Sequence, residues 1–312
     1  MIVANEINSI NELSQKEGRK TAMSHIIRQI PFGGWKNCIQ ISNTVFDAVI
    51  TTEVGPRIVR YGKVGGPNLL WLDEFTTGST EETKTWRAYG GRSFDTCVGG
   101  EKRLVPENVP VAYTLTEDAI VFDPINQNGL EKQIKIRMCR RGGLEINQMV
   151  TNKGEANAAV AILGGTMMPG GGMYYLPGQI SEGHHRPEVL YKGNSTPILT
   201  REETCDEYRI CATSTAVWCG VFNRGSLLMI TCPEDKKAEE NLSLDVTPRY
   251  ARLEICSPEK KLKPGDSLTQ TEVWNIFPDI PLPESNAAAE KEMSGNRWFY
   301  DFVKKPVKGL DY

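Results

Sequence analysis

Short strand-like segments separated by turn residues make up most of the chain from Trp35 to about residue 280. In each segment apolar and polar residues alternate or form a short apolar run, and Asn, Gly or Pro stands between segments. Long helical periodicity is absent from this span. Clear examples are CIQISNTVFDAVITT (38–52), KQIKIRMCRRGGLEINQMV (132–150) and VWCGVFNRGSLLMITC (217–232). The pattern predicts an all-β fold, an antiparallel sandwich or barrel.

The domain organisation follows from where this pattern of strands and turns begins and ends. A chain of 312 residues has the average length of two domains, but all-β folds run to roughly 250 residues as one unit. We predict one β domain over residues 35–280. Residues 1–34 form an N-terminal extension, in which residues 7–30 are expected to contain one or two short helices. Residues 281–312 form a tail whose aromatic segment RWFYDF docks on the domain.

Charge and hydropathy argue against two classes of partner. The net charge is −3 with Lys and Arg scattered along the chain, whereas nucleic-acid binding needs a basic stripe. No stretch approaches the ~20 consecutive apolar residues of a membrane span. The first twenty residues also lack the basic and then apolar order of a secretory signal. We therefore expect a cytoplasmic protein without nucleic-acid or membrane partners, with monomer and homodimer both left open.

The cysteines and histidines do not form a metal or redox motif. None of the eight cysteines belongs to a CxxC pair, and most lie in strand-like runs where a reduced thiol behaves as a small apolar group. A zinc site needs three or four converging ligands, which the adjacent His184 and His185 do not provide. The glycine runs GGRSFDTCVGG and PGGGM match neither nucleotide-binding pattern. We predict neither a metal nor a cofactor.

Two stretches, 73–108 and 164–205, interrupt the regular texture with glycines and aromatic residues. Long loops in a compact β domain tend to be functional, so we expect both to rim one site. Carbohydrate sites combine an aromatic platform with charged groups that bind hydroxyls. The first stretch holds such a mixture in Trp86, Tyr89, Arg92, Asp95, Glu101 and Arg103, and the second stretch contributes His184 and His185.

A carboxylate stands in mid-strand near the end of the domain, in RLEICSPEKKLKPGDSLTQTEVWNIF (252–277). Leu253 and Ile255 belong to one face of a predicted strand, so Glu254 belongs to the other. A turn at 263–266 and a second strand follow. Two interpretations stand side by side. Glu254 is either a group that a pocket needs or a surface group, which is then solvated or the partner of an arginine (Arg57, Arg249 or Arg252) that fixes strand register.

Five segments in order carry a resemblance to the galactose mutarotase-like superfamily, and within it to a bacterial branch of aldose-1-epimerase-like proteins. They are TTEVGPRIVRYG, WRAYGG, PENVPV, VTNKGEANAAVAILGGTMMPGG and LEICSPEKKLKPGDSLTQTEVWNIF. The resemblance implies a large sandwich of two curved antiparallel sheets with a sugar cleft on the concave face. It also implies that Glu254 is the base that removes the proton of the anomeric hydroxyl, while an acid protonates the ring oxygen.

The chain departs from this pattern at the acid. The histidine expected in the strand VAILGGTMM is missing, because Gly164 and Gly165 occupy its neighbourhood. The related branch has GGHRLW where this chain has GGRSFD, so that Arg92 takes the place of its histidine and Asp95 that of its tryptophan. The acid would then come from His184 or His185.

The predicted function is a carbohydrate-active enzyme, an aldose 1-epimerase-like isomerase with Glu254 and His184 as catalytic residues. The predicted ligand is a small carbohydrate. Its binding residues are Arg57, Trp86, Arg92, Asp95, Glu101, Arg103 and His185. Two alternatives stay open: a carbohydrate lyase on the same scaffold, in which Tyr, Arg or His abstracts the proton, and a non-catalytic sugar-binding protein.

Overall fold

The computed structural model describes residues 25–80, 87–103, 108–139, 143–176, 179–184, 189–191, 198–201, 208–214, 218–232 and 240–278. Within these ranges every regular element is a strand and every strand pair is antiparallel. The described part therefore offers no helix that could cross a membrane. The prediction of an all-β antiparallel sandwich is confirmed.

The strands differ widely in length, from three to twelve residues. In chain order they are Ile26–Phe32 (β1), Trp35–Ser42 (β2), Phe46–Thr51 (β3), Arg57–Lys63 (β4), Arg92–Val98 (β5), Glu101–Arg103 (β6), Tyr113–Leu115 (β7), Ala119–Phe122 (β8), Ile125–Gln127 (β9), Leu130–Met138 (β10), Leu144–Asn152 (β11), Ala158–Pro169 (β12), Met173–Leu176 (β13), Gln179–His184 (β14), Val189–Tyr191 (β15), Ile198–Arg201 (β16), Tyr208–Ser214 (β17), Trp218–Asn223 (β18), Ser226–Thr231 (β19), Glu240–Val246 (β20), Tyr250–Cys256 (β21), Lys260–Leu262 (β22) and Ser267–Pro278 (β23).

The strands form two large sheets. Sheet 1 has the order β1-β2-β3-β4-β5-β12-β21-β20-β17-β14, with β6 beside β5 and β22 beside β12. Sheet 2 has the order β15-β16-β13-β18-β19-β23-β11-β10-β8-β7, with β9 beside β10. Strands β21 and β23, which the sequence shows as neighbours around a turn, belong to different sheets. The turn at 263–266 therefore lies on the path by which the chain crosses from sheet 1 to sheet 2.

The three hairpins expected from local sequence are present. β2 pairs with β3, β10 with β11, and β18 with β19. In the last hairpin Arg224 and Gly225 both adopt positive φ, at 50° and 71°. This geometry matches the right-handed twist of the flanking strands, which is why an Arg-Gly dipeptide works here as a tight turn.

The main core fills the space between the two sheets. Its members alternate along each strand with residues of the opposite face, as the period of two requires. Representative buried side chains are Ile50, Ile58, Phe94, Ile162 and Leu253 of sheet 1, and Ile136, Ile146, Leu228, Trp274 and Ile276 of sheet 2. Sheet 1 therefore has an inner face toward this core and an opposite face, which we call the outer face.

A second, smaller core covers part of the outer face. Trp35, Cys38, Val49, Val59 and Tyr89 are all fully buried there, and the rings of Trp35 and Tyr89 meet edge to face at 6.2 Å. The outer face at β2, β3 and β4 thus carries this apolar core beside a polar group in which Asp47 binds Gln40 and Arg60. Its continuation over β5, β12, β21 and β20 is polar, and this polar part is where the candidate site lies.

The N-terminal boundary differs from the expectation. Residues 26–30, which the sequence analysis places in a short helix, belong to β1 and pair with β2 at the edge of sheet 1. Ile27 packs on the main core, and Ile30 and Phe32 pack on the smaller one. Burial of alternate apolar side chains decides the conformation here over local helix propensity. The rest of the predicted helical segment and the tail at 281–312 lie outside the described residues.

The two stretches predicted as long loops contain much strand. The first contributes β5 and β6, and the second contributes the end of β12 and β13 to β16. Pairs of positive-φ glycines flank β5, Gly90 and Gly91 before it and Gly99 and Gly100 after it. A Cβ at Gly90 or Gly91 would collide with the backbone at Trp71 or Ile58. These glycines, which in the sequence suggest a loop, instead allow the chain to bend sharply before and after β5, a strand in the middle of sheet 1.

Candidate functional site

The outer face of β21 presents the residues that alternate with its core-facing ones. Ala251, Leu253 and Ile255 are buried in the main core. Arg252 and Glu254 therefore lie on the outer face, as the sequence predicts for Glu254. The cross-strand neighbours of Glu254 are Gly165 on β12 and Ser243 on β20.

Glu254 is held by a guanidinium and a hydroxyl. Its carboxylate lies 3.0 Å from Nη2 of Arg252, and Oγ of Ser243 donates a hydrogen bond of 3.0 Å to it. Only 2% of Glu254 is exposed. The expectation of a solvated carboxylate is thus wrong, while the expected arginine partner is present as Arg252. A charge-assisted contact of this kind fixes the carboxylate's position as well as its charge.

Arg252 joins Glu254 to a second carboxylate. Its Nη2 also donates to Oδ2 of Asp95 at 3.2 Å, and Oγ of Ser93 donates to the same oxygen at 3.0 Å. Ser93 and Asp95 lie on β5, two strands away from β21. We call Ser93, Asp95, Ser243, Arg252 and Glu254 the outer cluster. It spans β5, β12, β21 and β20 across the middle of sheet 1.

Gly165 creates the space in which the outer cluster forms. A Cβ at this position would lie 2.9 Å from Nη2 of Arg252, 3.0 Å from its Nε and 3.2 Å from Oγ of Ser93. A larger side chain at position 165 would displace the Arg252 guanidinium, which bridges Asp95 and Glu254. The guanidinium thus occupies the space in which the resemblance leads one to expect the acid's side chain.

Charged residues continue along sheet 1 beyond Glu254. In the strand ladder Arg252 is opposite Asp245, Asp245 opposite Arg209, and Arg209 opposite His184. A hydrogen bond with Cys211 raises the pKa of Arg209, and the negative charges of Asp245 and Glu254 raise it further. Glu254 is therefore part of a wider field of alternating charges on this face.

Arg57 lies where the polar and apolar parts of the outer face meet. Its guanidinium is 5.6 Å from the centre of the Tyr89 ring, and its Nη1 donates to the carbonyl of Gly90 at 2.9 Å. Only 6% of the residue is exposed. Arg57 thus lies on the same face as Asp95 and Glu254, as a set of binding residues would require.

Arg92 extends in the opposite direction, into the space between the sheets. Its guanidinium contacts Glu272 of β23 at 2.7 Å and Gln148 of β11 at 2.9 Å. Nε1 of Trp274 donates to the second oxygen of Glu272 at 3.1 Å. Arg92, Gln148, Glu272 and Trp274, which we call the inner cluster, are each at most 3% exposed. Arg92 is therefore separated from Glu254 by the thickness of sheet 1.

The remaining sequence candidates have more limited descriptions. Glu101 is exposed and begins β6, opposite Val98, while Arg103 ends β6 opposite Thr96. His184 ends β14 at the edge of sheet 1. Trp86 and His185 lie outside the described residues. Among the described residues no group of three or more His, Cys, Asp or Glu side chains could hold a metal ion.

Sequence reasoning missed Ser93, Gly165 and Ser243 as members of the site. Their signal is positional, because each belongs to the polar half of a strand whose other half is buried in the core. That half becomes visible only when the order β5-β12-β21-β20 is known, since these strands come from distant parts of the chain.

Comparison with solved structures identifies the fold. A putative aldose 1-epimerase from Escherichia coli K12 matches with a TM-score of 0.55 at 10% identity, covering 81% of this chain and 99% of that one. A putative mutarotase from Salmonella typhimurium matches with a TM-score of 0.55 at 10% identity, covering 86% and 99%. The chain has the galactose mutarotase-like fold.

A third match is a larger protein. A TPR-domain containing protein from Parabacteroides distasonis ATCC 8503 matches with a TM-score of 0.59 at 15% identity. The match covers 78% of this chain but 47% of that protein, so the chain spans about half of its length. No family model and no curated protein matches the sequence.

Proposed function

We propose that this protein is a carbohydrate-active enzyme, an aldose 1-epimerase-like isomerase that interconverts the anomers of a sugar. The observation that supports the proposal is Glu254 on the outer face, with its carboxylate fixed by Arg252 and Ser243. The similar E. coli and S. typhimurium structures, a putative aldose 1-epimerase and a putative mutarotase, agree with this class of reaction.

In the proposed reaction Glu254 accepts the proton of the anomeric hydroxyl. The anomeric oxygen then forms a carbonyl with C1 while the bond between C1 and the ring oxygen breaks. The ring oxygen takes a proton from an acid, and the ring is open. Rotation about the C1–C2 bond and the reverse steps close the ring with the other configuration. The Ser243 hydroxyl and the Arg252 guanidinium hold the carboxylate in the position from which it reaches the sugar.

For the acid we propose His184. Its position in the ladder is three strands from β21, or about 14 Å at the usual strand spacing. A separation of this size between the two strands leaves room for a sugar ring. Arg57 and Asp95, which lie on the same face, are the proposed hydroxyl-binding groups.

NMR exchange spectroscopy on a panel of free aldoses tests the proposal. We expect accelerated exchange between anomers for at least one sugar, a loss on the order of 100-fold or more in Glu254→Gln, and a comparable loss in His184→Gln. Glu117→Gln removes an exposed carboxylate in the turn before β8 and is the matched control. Exchange that Glu254→Gln leaves unaffected would sink the assignment of the base.

A second candidate function is sugar binding without catalysis. Its supporting observation is Gly165, because the residue opposite Glu254 carries no side chain that could act as an acid. In that case the panel shows binding by calorimetry with anomeric exchange at the uncatalysed rate. The same sample thus separates the two functions.

A further inference from the structure

A partly exposed aromatic cluster lies beside the outer cluster. The rings of Trp71 and Tyr250 contact each other with centroids 4.6 Å apart and a tilt of 35°. The guanidinium of Arg249 is 5.5 Å from the centre of the Trp71 ring and 5.4 Å from that of Phe75. Phe75 is 78% exposed. We call these four residues the aromatic platform.

The aromatic platform continues the same face of the same sheet. Tyr250 alternates with Ala251 of the core, so it belongs to the outer face together with Arg252 and Glu254. Trp71 is attached to the next strand, since its backbone N–H donates to the carbonyl of Met167, which pairs with Arg252. Tyr250 and Glu254 are four residues apart on one strand, about 13 Å at the rise of extended backbone.

The platform is held rigid by a buried acid. Oδ1 of Asp73 accepts a hydrogen bond from Nη2 of Arg249, and Asp73 is 7% exposed. Oδ2 of Asp73 accepts a second bond from the hydroxyl of Thr76 at 3.0 Å. Arg249 is therefore paired with Asp73 and lies against the rings of Trp71 and Phe75. In the same way Arg252 is paired with Asp95 and Glu254, so both guanidinium groups on this strip already have carboxylate partners.

These features define the ligand by chemistry. The exposed ring of Phe75 and the half-buried rings of Trp71 and Tyr250 offer apolar surface to the C–H faces of sugar rings, and the flanking polar groups suit hydroxyls. Charges that are already paired favour a neutral ligand over an acidic one. The distance from Tyr250 to Glu254 is greater than one pyranose ring spans. A monosaccharide at Glu254 would therefore leave the platform empty.

We propose that the aromatic platform binds the distal units of a neutral oligosaccharide that lies along β21 with its reducing end at Glu254. The placement of the reducing end rests on the proposed function, because only that end carries a free anomeric hydroxyl. The ligand is then a glycan chain, and the platform makes the protein selective for length.

Calorimetry on malto-, cello-, xylo- and manno-oligosaccharides of one to four units tests the proposal. We expect affinity for one series to rise with length by about tenfold, the scale of one aromatic contact. Phe75→Ala and Tyr250→Ala should remove most of this gain and leave monosaccharide binding unchanged. Phe75→Ala is safe for folding because the side chain is mostly exposed.

Tyr113→Ala is the matched control, since Tyr113 is a half-buried aromatic residue on β7 at the far edge of sheet 2. Equal affinity for one and four units, no binding of any oligosaccharide, or a length dependence unchanged in Phe75→Ala and Tyr250→Ala would each overturn the proposal. Anomeric exchange of monosaccharides distinguishes the two ideas. If Glu254-dependent anomeric exchange occurs but affinity does not rise with oligosaccharide length, the proposed role of the platform is wrong and the proposed function stands. If the length effect occurs without exchange, the proposed isomerase fails.

Discussion

Glu254 combines a structural and a proposed chemical role in one side chain. A buried carboxylate with a guanidinium partner loses a charge-assisted contact when it becomes an amide. We expect Glu254→Gln to lower the free energy of unfolding by about 2 kcal/mol, because Arg252 keeps Asp95 as a partner and the amide still accepts from Ser243. Urea denaturation of the variant beside Glu117→Gln measures this. A loss of unfolding free energy as small as that of the exposed control would show that the contact between Arg252 and Glu254 contributes nothing to stability.

The same residue shows what local pattern can and cannot predict. Period-two alternation places Glu254 on the face opposite Leu253 and Ile255, and the structure agrees. Burial did not follow from the pattern, because it depends on Ser93, Asp95 and Ser243 from other strands. Arg92 is the sharper case. Its motif suggests a binding loop, whereas its partner Glu272 lies 180 residues later, and nothing local specifies that contact.

The thiols of Cys38 and Cys139 allow the burial of single residues to be tested by their reactivity. Burial raises the pKa of Cys38 and of Cys139 to about 11, so that at pH 8 almost all of each is protonated thiol. We expect both to resist iodoacetamide in the native protein. Mass spectrometry of the alkylated peptides, compared with the protein in urea, measures this. The half-buried Cys256 is the internal reference, and modification of Cys38 or Cys139 at its rate would contradict the burial seen here.

At the scale of elements, β12 separates the two polar clusters with a pair of glycines. Gly164 faces the inner cluster, where a Cβ would collide with the Arg92 guanidinium and the Glu272 carboxylate. Gly165 faces the outer cluster, where a Cβ would press only on the end of Arg252 and on Ser93. Neither glycine has a positive φ, so both are required by space rather than by backbone conformation.

The two glycines should respond differently to alanine. Gly164→Ala should cost about 3 kcal/mol of unfolding free energy, because the buried pair has no space into which to move. Gly165→Ala should cost less, about 2 kcal/mol as in Glu254→Gln, and should impair sugar turnover or binding, since Arg252 is pushed away from Glu254. Urea denaturation and the sugar assay on both variants measure the contrast. Equal losses of stability would show that the two faces are not distinct.

The elements also differ in how well sequence predicts them. The β2–β3, β10–β11 and β18–β19 hairpins follow from local alternation and turn residues, because both strands and the turn lie in one short segment. The pairing of β12 with β5 and β21 joins segments separated by long stretches of chain. Such pairings depend on which faces are buried together, and a single sequence does not specify them.

For the whole molecule, the inner cluster is a charged connection between two sheets that meet mainly through apolar side chains. Two further polar contacts join the sheets, from Tyr61 to the carbonyl of Trp274 and from Lys132 to the carbonyl of Phe94. Arg92 belongs to β5 of sheet 1, while Gln148 and Glu272 belong to β11 and β23 of sheet 2. Removing one partner of a buried pair leaves an uncompensated charge, which costs about 3–5 kcal/mol, whereas replacing both costs less. The connection should therefore show strong energetic coupling.

A double-mutant cycle with Arg92→Met and Glu272→Gln measures that coupling. Glutamine keeps one of the two acceptor oxygens, so either Trp274 or Gln148 retains its acceptor. The loss of the other bond is common to both variants that carry Glu272→Gln and cancels in the cycle. We expect a coupling energy of about 2 kcal/mol from urea denaturation, with the double variant more stable than the sum of the single losses predicts. The control cycle uses Lys153 and Glu131, an ion pair at 3.4 Å with side chains 47% and 29% exposed, where coupling should stay below about 1 kcal/mol. Coupling in the inner cluster no larger than in this surface pair would mean that the Arg92–Glu272 charge pair does not help to hold the sheets together.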